Sequence, residues 1–173
     1  MNYQKKWLLS SCFAASLLSA SAFAHESSGV ASEETEIGQA GDANAVTRTI
    51  KVAMRDQMRF SPSHITVKQG ETIRFAVANT GTVKHELMLG TALEIKEHNA
   101  LMKKNPEMEH DEPSQVSVPP GGSGEIIWTF TKAGKVDFAC LMPGHYDAGM
   151  RGQILVSAVK NRRTKGVPGT HAS

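Results

Sequence analysis

Cysteine is nearly absent from this chain: two occur in 173 residues, Cys12 and Cys140, which rules out a disulfide-stapled scaffold. An excess of either charge is also missing. Residues 1–24 contribute Lys5 and Lys6 and no acid, so the rest holds 19 − 2 = 17 Lys+Arg against 17 Asp+Glu. That balance gives no electrostatic case for nucleic acid, although Lys160, Arg162, Arg163 and Lys165 make the C-terminus locally basic. There is no internal repeat and no Ser-His-Asp set for hydrolysis, and Gly121, Gly122 and Gly124 follow no strand-to-helix pattern that would cradle a phosphate.

What is present begins with a targeting pattern. Lys5 and Lys6 precede a mostly apolar run from Trp7 to Phe23 that ends Ala22-Phe23-Ala24. A positive start, an apolar middle and an A-x-A site predict a cleavable signal peptide over 1–24 and export to the periplasm. The run is short and Ser-rich, which argues against an anchor kept in the membrane. Cleavage leaves His25 as the N-terminus, a free amine beside an imidazole, and Cys140 as the sole thiol. Residues 25–45 carry five acids, no Lys or Arg and few apolar side chains, and are expected to be disordered. Residues 160–173 read as a solvated tail, leaving 46–159 as the folded domain.

Within 46–159 the apolar residues recur with period two. Strands are expected over 46–54, 58–67, 72–79, 83–89, 115–118, 125–131, 136–140 and 153–159, separated by turn residues such as Gly70, Gly81, Gly121 and Gly134. One segment breaks the rhythm. Residues 93–104 contain helix formers and no Gly or Pro, with Thr91 and Glu94 placed as a capping box and Pro106 as a stop. Seven or eight short strands with one helical insert predict an all-β sandwich.

The stretch with chemistry in it is 140–150, where Cys140, His145 and Met150 are spaced C-x4-H-x4-M. Thiolate suits Cu(I), imidazole suits both copper states, and a thioether can serve as a long axial ligand. Pro143 and Gly144 allow the turn that would bring thiol and imidazole to one point. Such a set needs a second imidazole from elsewhere. His85, on a strand face with Val83, Leu87 and Leu89, is the candidate. A histidine on an apolar face is more often a satisfied core residue, but here three ligands lack a fourth. Its rival, His64, lies in a Pro-Ser-His segment and reads as solvated.

With these residues in place, the chain resembles the cupredoxins, the family of plastocyanin, azurin, auracyanin and rusticyanin, over residues 46–159. Its ligand spacing is similar to that of rusticyanin and auracyanin. The resemblance implies a Greek-key sandwich and one type 1 copper held by His85, Cys140, His145 and an axial Met150. It also implies a monomer carrying single electrons, with a redox partner docking near the edge of His145. Glu86 departs from the family, which commonly has Asn or Ser there to donate a hydrogen bond near the sulfur. A carboxylate only accepts, which puts that bond in doubt. The helical insert, with Met102, Met108 and His110 around it, looks like that of the CopI-type periplasmic cupredoxins associated with copper tolerance. A copper-tolerance role, by sequestering copper or oxidising Cu(I), is therefore the alternative to electron transport. On the insert, His98 and Met102 are four residues apart, and with Met108 and His110 they are candidates for a second, labile Cu(I). The competing reading is that Met102 fills the core.

Overall fold

The computed structural model describes residues 33–106, 108 and 112–159; the proposed signal peptide, His25, His110 and the tail from 160 lie outside them. Among the described residues, ten strands form two five-stranded sheets. In chain order they are β1 (Gln39–Ala40), β2 (Arg48–Arg55), β3 (Arg59–Ser61), β4 (His64–Lys68), β5 (Thr72–Asn79) and β6 (His85–Gly90), then β7 (Gln115–Val118), β8 (Ser123–Thr129), β9 (Gly134–Ala139) and β10 (Arg151–Ser157). The first sheet has the order β1-β8-β5-β2-β3 and the second β4-β10-β9-β6-β7.

The alternation seen in the sequence is what closes the sandwich. Ile73, Phe75 and Val77 of β5 are buried, while Arg74 and Ala76 between them stay partly exposed. On β10, Ile154 and Val156 are buried and Leu155 between them is exposed. Edge-on aromatic pairs, Phe60 with Phe138 and Phe75 with Phe130, fill the space between the inner faces. A side chain of this kind, fully buried, contributes about 1.5–3 kcal/mol.

The strand expected over 58–67 is in fact two strands in different sheets. β3 pairs with β2, and β4 pairs in parallel with β10. Pro62 lies between them and has no N–H for a ladder, so pairing stops there and the chain crosses to the other sheet. The N-terminal segment also differs from expectation. Residues 33–45 include β1 on the edge of β8 and a short 3-10 turn, Ala43–Ala45. Ile37 is buried, and its carbonyl accepts a 3.0 Å hydrogen bond from Trp128 Nε1. Pairing of β1 with β8 and the burial of Ile37 together hold a stretch whose composition is polar.

The helix α1 (Ala92–Lys104) forms as its caps dictate. Thr91 accepts from the Glu94 N–H, and the Glu94 carboxylate accepts from the Thr91 N–H at 2.7 Å. Ile95, Asn99 and Met102 make its buried stripe. Ile95 and Met102 pack with Ala139 and Leu141, so α1 covers the second sheet beside the chain leaving β9. Met102 is 2% exposed and is a packing residue. Met102→Ala should cost about 2–5 kcal/mol in denaturant unfolding, and Met102→Leu less than about 1.5 kcal/mol.

Candidate metal centre

The 140–150 loop joins the neighbouring antiparallel strands β9 and β10. Its two ends are tied together, since the Cys140 N–H donates to the Met150 carbonyl at 3.1 Å. Within it, the His145 N–H donates to Met142 O and the Met150 N–H to His145 O, each at 3.0 Å. Gly144 has φ +84, a left-handed conformation that glycine adopts without steric cost. This turn reverses the chain between the thiol and the imidazole. From outside the loop, Arg59 Nη1 donates to Ala148 O at 2.8 Å.

His85 comes from the start of β6, which lies between β7 and β9 in the second sheet. Its Nδ1 is 3.3 Å from His145 Nδ1, and Cys140 Sγ is 3.2 Å from the same nitrogen. The three ligand atoms all lie within 4.8 Å of one another. His85 and Cys140 are fully buried and His145 is half-buried. Met150 is fully buried in the same core as Cys140, beside partly buried Met142. Bare imidazole nitrogens facing a thiol in an apolar surround have little to gain from one another. A soft or borderline cation between them satisfies all three, so the donor set fits copper. His64 is exposed on β4, against Ser63 Oγ, and takes no part.

Burial pushes the Cys140 thiol up to about 12, against the pull of the Met142 and Glu86 N–H groups, and the neighbouring Glu86 carboxyl adds to the rise. The His145 imidazole is lowered, first by burial and then by His85, with Asp56 opposing. The bond to sulfur that Glu86 put in doubt is present, because its donor is the backbone. The Glu86 N–H reaches Cys140 Sγ at 3.3 Å whatever the side chain. The Glu86 carboxyl is 2% exposed, and burial raises its pKa against the Leu141 N–H, Gln115 and Ser117 that pull it down.

Sequence reasoning missed Asp56. Its Oδ1 lies 3.2 Å from His85 Nε2, on the far side of the ring from the ligand cluster. Hydrogen bonds from the Thr82 backbone and hydroxyl hold its carboxyl down to about 2. Asp56 and His85 are 29 residues apart, so no local pattern announces the pair.

The insert residues are brought together only in part. Met102 is in the packed cluster with Ile95 and Leu141, and Met88 and Met108 lie against it. His98 lines a separate cleft of about 550 Å³ with Met88, Glu112 and Trp128. Among the described residues, His85, Cys140 and His145 are the one group of three His, Cys or acidic ligands that converges.

A metal entering this site must displace the proton of Cys140, since ligation requires the thiolate. Burial already disfavours the charged form of His145, so the proton released on metal entry should come chiefly from Cys140. Apparent affinity for Co(II), which spares the thiol from oxidation, should rise roughly tenfold per pH unit between about pH 7 and pH 9. A flat profile in chelator competition would mean that the thiol ionises before metal arrives.

Residues 45–157 match the family described as copper binding proteins, plastocyanin/azurin family. The chain is 48% identical over 133 residues to the copper-resistant cuproprotein CopI of Rubrivivax gelatinosus, covering 77% of this chain and 81% of that one. It is 38% identical over 148 residues to the protein of the same name from Pseudomonas aeruginosa, covering 69% and 81%. The reduced auracyanin of Roseiflexus castenholzii shares its fold, with a TM-score of 0.57 at 24% identity over 65% of this chain and 98% of that one. Ligand convergence, two-sheet architecture and family match agree, and the chain belongs to the plastocyanin/azurin family of copper-binding proteins.

Proposed function

We propose that this protein is a periplasmic copper-tolerance cupredoxin that exchanges single electrons at one type 1 centre, which His85, Cys140, His145 and Met150 would hold. The observation that carries the one-electron part is the clamped convergence of three ligands from two places in the fold. Copper tolerance is favoured over plain respiratory electron transport by the relatives, which are named as copper-resistant cuproproteins.

Bound there, copper would supply a Cu(I)/Cu(II) couple on thiolate, imidazole and thioether donors. The protein's part is to hold those donors still. His85 is fixed at its backbone by β7, and the ligand loop is closed by the Cys140–Met150 hydrogen bond. The donors therefore cannot drift toward the geometry that either oxidation state alone prefers. Burial of His85 and Cys140 keeps water from the ligand positions. His145, half-buried in a loop whose Pro143 and Ala148 are exposed, is the ligand nearest to a docking partner. Tolerance would follow from keeping copper sequestered or from passing an electron taken from Cu(I) to that partner.

Two variants test the centre. Cys140→Ser should abolish the visible thiolate-to-metal absorption of the copper-loaded protein; a full band in that variant would remove the type 1 assignment. Met150→Gln should keep copper but lower the reduction potential, because a harder donor in place of the thioether favours Cu(II). Complete loss of copper would make Met150 structural. The physiological role is tested by deleting the gene. Growth should fail in added copper and stay normal under respiratory demand without it, and the opposite pattern would restore the respiratory carrier.

A further inference from the structure

We propose that Asp56 is a positioning residue of the copper centre, an anionic acceptor that keeps the proton of His85 on Nε2, leaves Nδ1 bare for the metal and favours Cu(II). This deepens the function proposed above and rests on it for the copper-loaded state. The tautomer it assigns is a property of the metal-free chain.

The geometry gives each carboxylate oxygen one task. Oδ1 faces His85 Nε2 at 3.2 Å, and Oδ2 accepts from the Thr82 N–H and the Thr82 hydroxyl, each at 2.7 Å. The group is thus held from behind by two donors and presented to the imidazole. His85 itself is fully buried, so no solvent competes for its ring, and the carboxylate decides which nitrogen carries the proton. With Nε2 protonated, the lone pair at Nδ1 points to the cluster where His145 Nδ1 lies at 3.3 Å. A carboxylate behind a ligating imidazole also raises its basicity and places a negative charge near the metal, which stabilises the higher charge state.

Two further features show that room has been made for this contact. Asp56 belongs to the tight turn between β2 and β3, closed by the Met58 N–H on Arg55 O at 3.0 Å. The residue after Met58, Arg59, opens β3 and donates to Ala148 O in the ligand loop at 2.8 Å. The β2–β3 corner therefore touches both His85 and the ligand loop. Opposite it, Gly81 leaves a gap that the carboxylate fills. A Cβ there would overlap Asp56 Oδ1 and stand 2.7 Å from Asp56 Cγ. No side chain fits at 81 while Asp56 holds its place.

The test begins with the metal-free protein. Long-range proton–nitrogen NMR should find His85 as a single Nε2–H tautomer in wild type and in Thr82→Val, which keeps the carboxylate. Asp56→Ala should show a mixture containing Nδ1–H. Copper-loaded Asp56→Ala should bind about 10–100-fold more weakly, and its reduction potential should rise. Asp56→Asn removes the charge with little change of shape and should raise the potential too. Gly81→Ala, which leaves Asp56 in the chain but displaces it, should move tautomer and potential the same way and covers the case in which Asp56→Ala fails to fold. An unchanged tautomer and potential in Asp56→Asn and Gly81→Ala would overturn the inference and leave Asp56 as a cap of the 79–82 turn. A wild-type protein without a copper band would instead overturn the proposed function, while the tautomer comparison would still stand.

Discussion

The bond from the Cys140 N–H to the Met150 carbonyl is the constraint on which the centre depends. It is the last rung of the β9–β10 ladder, and past it the chain must leave the sheet and return. Nine residues are confined between those two ends, so the thiol and the imidazole meet without any long-range search. The sandwich then has only to bring His85 up to them, and it does so through β6, which pairs with β9 on one side and β7 on the other. Ordinary backbone pairing thus sets most of the placement of the ligand residues.

Two carboxyl groups lie next to His85, Asp56 behind its ring and Glu86 beside it on β6, and they meet opposite fates. Asp56, partly exposed and held by Thr82 donors, stays ionised far below the usual range. Glu86, buried, is pushed the other way. Both answer to the rule that a charge survives where water or donors reach it and is suppressed where they do not. The centre therefore has a firm negative charge behind one imidazole and a carboxyl tending to neutrality beside the thiol, although the two residue types are nearly interchangeable on paper.

The ligands were legible in the sequence because copper chemistry restricts residue type and the loop restricts spacing. His85 was legible because the C-x4-H-x4-M run was one imidazole short. The sandwich was legible from period-two alternation, and α1 from its caps and the absence of Gly and Pro. What stayed hidden depends on tertiary placement. The division of 58–67 between two sheets turns on Pro62 meeting a ladder it cannot join. The order of 33–45 turns on β1 reaching the edge of β8 and Ile37 reaching Trp128. Asp56 is an ordinary turn acid until folding sets it behind His85. Glu86 misled because residue type says nothing about a bond made by the backbone, whereas Met102 packs the core, as the reading of it as a gap filler expects.

The lengths of the outer strands carry a consequence of their own. The first sheet ends in β1 and β3, of two and three residues, and the second in β4 and β7, of five and four. Unpaired N–H and C=O groups at a sheet margin are a template for another chain, and short margins give it little to grip. β4 adds His64, Thr66 and Lys68 as exposed polar side chains along its length. Margins this short and polar leave the sandwich little edge on which a second copy could add a strand.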